Sequence, residues 1–258
     1  MVDAKAINEA LNYYIRPATF PLAFHLFQKE TELPPKAKQP RRDLGYPIPI
    51  CQAVGMARRY GWSIAMGMED ISCPIALLAL GFLEAKDSFL DGRFAEGPFM
   101  GPQEARARAA AELKRFDYGK YQGLLISCLH NTTVEPDFIT IYGNSAQVMR
   151  LVQGCLYGRG GALHSMATGG ADCADIIVQT FDSDECQYIL PCNGDRVFGM
   201  TADDEMIFTM PKSQIDITLK GLEETHKIGQ RYPIPAFMRF QPEMPSRYGK
   251  FMDFLKSD

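Results

Sequence analysis

Apolar positions recur along this chain with two periods, and the alternation between them predicts the elements. Ile7, Leu11, Tyr14 and Ile15 fall on one face of an N-terminal helix, and residues 22–27 read as a short buried strand. A helix is predicted over 52–60, closed by Gly61 and with Arg58 and Arg59 against its negative end, followed by a strand over 63–68. The apolar, helix-competent run 73–83 and the alanine-rich helix 103–116 complete the first half. The second half opens with strands over 123–129 and 138–142 and a helix over 145–157, with Val148, Leu151, Val152 and Cys155 on one face. Strands are predicted over 187–191 and 206–210, separated by an Asn193-Gly194-Asp195 turn, and a helix over 213–228. Polar, proline- or glycine-bearing loops are expected over 30–39, ending in Pro40-Arg41-Arg42, over 87–102 and over 130–136. The tail from Pro233 is expected to pack back over the body through Phe251 and Phe254.

The two halves half-match. The segment from Cys51-Gln52 to Cys73 is echoed by the one from Val152-Gln153 to Cys173, each running helix, glycine exit, short strand-like segment and turn before a cysteine. In this alignment residues 164–168 take the place of the strand 63–68, Cys173 that of Cys73, and a position near Gln153 that of Cys51. The expectation is an α/β protein, with α+β as the alternative. It is a mixed sheet with flanking helices, one domain over 1–258 with an internal repeat of roughly 18–119 and 134–230.

Composition narrows the function classes. Hydrophobic residues make up 46% of 258, and the net charge of −4 supplies no basic field for nucleic acid. The longest apolar run, 73–83, covers about 16 Å as a helix, about half a bilayer core, and the N-terminus carries no basic, apolar signal pattern. A cytoplasmic protein that neither spans a membrane nor binds nucleic acid is expected. Seven cysteines, an odd number without a secretory signal, read as reduced thiols, and the absence of any CxxC means that a metal site must draw its ligands from separate loops.

Candidate chemistry follows from where the cysteines stand. The first turn of a helix carries unpaired N–H groups and a partial positive charge, which favour a thiolate or an anion. Cys51, Cys73 and Cys173 are placed at such entrances, with Cys192 beside the Asn193 turn as a fourth ligand. Cys128 and Cys155 read as core, and free cysteine is often merely buried. His164 is the secondary ligand candidate. Gln52, Arg159, Gly160, Gly161, Asp195 and Arg196 are candidates for holding a cofactor or anion; Asp195 and Arg196 also read as an internal ion pair. There is no Walker sequence, Rossmann GxGxxG or GxSxG nucleophile elbow.

Ile50-Cys51-Gln52 with Ala57-Arg58, the Cys73 turn with residues 78–81, Glu135-Pro136-Asp137, Ala146-Gln147-Val148-Met149-Arg150 and residues 191–198 together resemble the uncharacterised bacterial and archaeal family termed domain of unknown function 169. The resemblance implies one compact domain and directs attention to the cysteine loops; it implies no mechanism. The leading expectation is a metal or iron–sulfur centre, with zinc as the other metal choice, and a small-molecule ligand or redox partner. The competing expectation is a metal-free module holding a small anionic metabolite between the two halves.

Overall fold

Two strands far apart in sequence lie side by side at the middle of the sheet, and everything else is arranged about them. In the computed structural model, which describes residues 3–28, 33–94, 101–233 and 244–257, these are β1 (Leu22–Phe27) and β4 (Phe138–Asn144). The other strands are β2 (Ile64–Gly67), β3 (Gly123–Cys128), β5 (Gln187–Ile189) and β6 (Glu205–Pro211). The helices are α1 (Ala4–Tyr14), α2 (Pro40–Leu44), α3 (Ile50–Tyr60), α4 (Pro74–Ala79), α5 (Asp87–Leu90), α6 (Gln103–Glu112), α7 (Ser145–Leu156), α8 (Asp172–Ala174), α9 (Thr180–Ser183), α10 (Asn193–Phe198), α11 (Ile215–Lys227) and α12 (Ser246–Leu255). A π-helical stretch, Asp175–Gln179, joins α8 and α9 into one continuous helix.

The strand order is β2-β3-β1-β4-β6-β5. Read inward from either edge, each half of the sheet runs second, third, first strand of its own three. The five strand pairings are all antiparallel, and parallel geometry is confined to the isolated bridges Lys38–Ile64 and Ile48–Ile71. The helix-flanked sheet expected from the sequence is what the chain forms, of α/β or α+β class.

Strict alternation along the central strands assigns the two faces. Leu22, Phe24, Phe138, Tyr142 and Ile207 point to one face with residues of α3, α4 and α8, while Ala23, Ile139, Ile141, Phe208 and Met210 point to the other with α1, α7 and α11. Phe24 and Phe138 stack across the central pair, ring centroids 4.8 Å apart. On the second face α7 and α11 cross where Gly154 meets Gly221: a Cβ on Gly221 would lie 2.0 Å from the Gly154 carbonyl oxygen, so only glycine permits this approach.

Arg58, read from sequence as a cation at the end of its helix, is fully buried. It donates to both carboxylate oxygens of Glu205 at 2.7 and 3.1 Å and to Thr201 Oγ1 at 3.1 Å, and its guanidinium lies 4.2 Å from the Tyr142 ring centroid. Burial opposes ionisation of Glu205, but the hydrogen bonds from Arg58 and the Ala202 N–H outweigh it and hold the carboxyl below its ordinary value. Glu205 therefore starts β6 and ties it to α3.

Other expectations fail for identifiable reasons. Residues 164–168 form no strand; they run irregularly, and Ser165 Oγ accepts from the Tyr188 N–H at 2.8 Å. Asn193-Gly194-Asp195 is the first turn of α10, entered from an extended Cys192, and Pro40 opens a helical turn because its missing N–H costs nothing at that position. The tail helix α12 buries none of its residues, and Phe251 and Phe254 are 57% and 60% exposed, so they anchor nothing. Residues 234–243 of that tail, 95–100 of the predicted connector and 30–32 of the predicted loop lie outside the described residues. No helix among the described residues is long and apolar enough to cross a membrane.

Arg58→Ala leaves Glu205 buried without its partner and is expected to lower stability by about 3–5 kcal/mol in denaturant unfolding. The Arg58–Glu205 contribution is present above the ordinary glutamate value of 4.5 and is lost as pH falls through the lower folded value. Glu205→Gln and the parent protein should accordingly converge in stability on acidification; a difference that persists unchanged contradicts the pairing.

Candidate metal centre

Four helix beginnings on the same face of the sheet point at one cavity. Cys51 is the second residue of α3, behind the extended Pro49, and Cys173 is the second residue of α8, behind Ala171. Cys73 and Cys192 are themselves the extended caps of α4 and α10, with Pro74 opening α4. All four line a cavity of about 500 Å³, together with Asp172, Ser72, Asn193, Phe198 and the backbone of Gly169, Gly170 and Gly194. The cysteines come from segments up to 141 residues apart (192 − 51), so it is the sheet that assembles them.

The topology changes which cysteines correspond. Cys73 caps the helix after the edge strand β2, and Cys192 caps the helix after the other edge strand β5. Cys51 and Cys173 each hold the second position of the helix that leads to its edge strand. Cys73 is thus matched with Cys192, and Cys51 with Cys173. Residues 164–168, set against the strand 63–68 in the sequence alignment that paired Cys73 with Cys173, are irregular.

Close approach is enforced by glycine. A Cβ on Gly55 of α3 would lie 2.8 Å from the Gly199 carbonyl oxygen, and one on Gly199 would lie 2.2 Å from Asp195 Oδ1 and 3.0 Å from the Cys51 carbonyl oxygen. These contacts set α3 against α10 and so bring Cys51 to Cys192. The Cys51 sulfur, a carboxylate oxygen of Asp172 and the Cys192 sulfur all lie within 4.8 Å of one another. A Cβ on Gly194 would stand 3.5 and 3.6 Å from the Cys192 and Cys51 sulfurs, so glycine leaves open the space beside both.

Asp172 was not singled out by sequence. It is 2% exposed, accepts the Cys192 N–H at 2.9 Å and the Cys192 thiol at 3.1 Å, and thereby links the start of α8 to the cap of α10. Its only sequence signal is an acid directly before a cysteine. Behind it, Asp195 Oδ2 accepts from Tyr142 Oη and Thr201 Oγ1, both at 3.0 Å, and Thr201 in turn accepts from Arg58. The cavity wall is therefore continuous with the buried Arg58–Glu205 pair.

Negative charge at this site is disfavoured in isolation. Burial pushes the Asp172 carboxyl and the Cys173 thiol well above their ordinary values, and neighbouring acidic groups add to both shifts. Within the Cys51–Cys192 pair their mutual hydrogen bond splits the two thiols: Cys51 is driven up, with burial adding, and Cys192 is drawn down. Asp172, Cys173 and Cys51 are thus held toward their neutral forms. A cation among them reverses that balance, since it favours every deprotonated donor at once.

The remaining candidates lie elsewhere. Arg159, Gly160, Gly161 and His164 line a separate pocket of about 370 Å³, where Arg159 is paired with Glu185. Asp195 and Arg196 do not pair: successive helical residues face different ways, so Asp195 turns inward while Arg196 donates to the Ala202 carbonyl at 2.8 Å and lies 3.9 Å from Asp203. Gln52 is half-buried in the first turn of α3 and does not line the cavity. Cys128 and Cys155 are fully buried, as expected for core residues.

Residues 10–221 match the family DUF169, described as uncharacterised ArCR. The chain belongs to this family. The matched region contains all four cavity cysteines and Asp172. The chain is also 26% identical over 101 residues to the uncharacterized protein MJ0308 of Methanocaldococcus jannaschii, a stretch that covers 39% of this chain and 43% of that protein. No solved structure matches.

Gly199→Ala and Gly55→Ala each overpack the α3–α10 contact. Each is expected to lower stability by about 1–3 kcal/mol, read as a fall in denaturant midpoint, and to reduce cross-linking of Cys51 to Cys192 by a short bifunctional thiol reagent. Unchanged midpoint and cross-linking contradict this role for the glycines.

Proposed function

We propose that this DUF169 member is a cytoplasmic protein that binds a metal or iron–sulfur centre through Cys51, Cys73, Cys173 and Cys192. The observation that carries the reading is that four cysteines, each at a separate helix beginning, line a single cavity, with Cys51, Cys192 and Asp172 within 4.8 Å of one another and Cys73 and Cys173 outside that close group. Thiolates are soft donors that select zinc or iron–sulfur clusters over magnesium or calcium. Four thiolates carry more charge than one divalent ion neutralises. Exposed N–H groups at the four helix beginnings offset part of the surplus, as they do for other bound anions. The room left beside two of the sulfurs by Gly194 suits an inserted ion or inorganic sulfide.

The same reading includes descent from a duplicated unit of about a hundred residues, as each half supplies one cysteine at a helix's second position and one at a helix cap. The centre then sits between equivalent halves, which contribute equally. With the centre bound, its chemistry is electron transfer or activation of a ligand; the chain's own residues hold it, shield it behind Phe198 and place Asp172 against it. The alternative of a metal-free anion site is less well supported, because Arg159 and Arg196 already have carboxylate partners.

Anaerobic purification followed by zinc, iron and sulfide analysis tests the proposal. Stoichiometric metal is expected in the parent protein, with most of it lost in Cys51→Ser, Cys73→Ser, Cys173→Ser and Cys192→Ser and retained in Cys128→Ser. Metal-free protein after reconstitution with iron and sulfide or with zinc, or equal metal in all variants, would falsify it.

A further inference from the structure

Asp172 is a buried carboxylate that lacks what such a group normally has. Among the described residues no lysine, arginine or histidine forms an ion pair with it, although it is 2% exposed. The buried arginine on this face, Arg58, spends its hydrogen bonds on Glu205, Thr201 and Thr19. Removing a carboxylate from water without a compensating charge is costly, and proteins resolve this by keeping the acid protonated, by pairing it or by binding a metal ion. Both oxygens of Asp172 are turned toward Cys192, Oδ2 to its N–H at 2.9 Å and Oδ1 to its sulfur at 3.1 Å. Oδ1 and the thiol share one proton-sized gap, a gap that coordination of the deprotonated sulfur to a metal would vacate. The same carboxylate, the Cys192 sulfur and the Cys51 sulfur lie within 4.8 Å of one another, a spacing that one ion can bridge from within.

We infer that Asp172 is itself a metal ligand, coordinating the same metal atom as Cys51 or Cys192. This rests on the metal-centre reading above and adds an oxygen donor to its sulfur ligands. Three features favour coordination over a purely positioning role. The residue stands at the first position of α8, next to the ligand Cys173, so its backbone is held by the same helix beginning. The residue is among those lining the cavity. The adjoining helix widens into the π-helical stretch Asp175–Gln179 immediately afterwards, a distortion frequent at functional sites. An oxygen among soft sulfurs makes one metal position harder and chemically distinct from the others.

The test uses the full chain with its metal as purified anaerobically, the probe being release of that metal to excess EDTA. Asp172→Asn keeps a carbonyl oxygen able to accept the Cys192 N–H but loses the anionic donor; Asp172→Ala loses both. If Asp172 is a ligand, X-ray absorption at the metal edge loses an oxygen scatterer in both variants; faster release alone, about 10–100-fold, is what loss of an outer partner of Cys192 also gives. If Asp172→Asn keeps the parental spectrum, the residue only positions Cys192 and the inference is overturned, whatever the release rates and whatever Asp172→Ala does. Should Asp172→Ala fail to fold, the asparagine variant decides alone. A parent protein without metal would instead overturn the centre on which the inference rests, so the two failures are distinguishable.

Discussion

The approach of α3 to α10 is the contact on which the cavity depends. Gly55 and Gly199 let the two helices meet backbone to backbone, and Arg58, one turn along α3, clamps the arrangement by reaching Glu205 and Thr201 beyond α10. The contact joins residues about 140 positions apart, so neither half of the chain can form the site alone. It is also what makes the buried arginine tolerable: its charge is met by a bidentate carboxylate and its flat guanidinium covers Tyr142.

From this clamp a chain of hydrogen bonds runs to the cysteines. Arg58 reaches Thr201, Thr201 and Tyr142 reach Asp195, and Asp195 belongs to the same short helix that Cys192 caps. Networks of this kind hold side chains in place, although Arg58 Nε and Asp195 Oδ1 make no hydrogen bond among the described residues. The cysteines are therefore not simply small residues filling a core: two of the four are only half-buried, and all share a cavity wall with a carboxylate that has no basic partner among the described residues. The neighbouring thiols Cys128, Cys155 and Cys186, by contrast, are closed off at 0% exposure.

Much of this was legible in the sequence because period and punctuation agree there. The central strands are continuous apolar runs, the long helices show one apolar stripe, and Gly61 and Pro74 mark a helix end and a helix start where they stand. The helix-entrance argument picked out Cys51, Cys73 and Cys173, and Cys192 was singled out for its place beside the Asn193 turn. What escaped was set by contacts distant in sequence. Nothing local distinguishes Arg58 from the exposed Arg59 beside it, or Glu205 from Asp203 and Asp204, since their fates are decided by a partner about 150 residues away. Asn193-Gly194-Asp195 has turn composition, and only the extended Cys192 before it converts those residues into a helix. Asp172 was hidden for the same reason, because its role depends on Cys192 across the cavity.

A sulfur-ligated metal centre at the four helix beginnings can be read by X-ray absorption at the zinc or iron edge of anaerobically purified protein. A first shell dominated by sulfur at about 2.3 Å is expected; a shell of nitrogen and oxygen alone would rule the centre out.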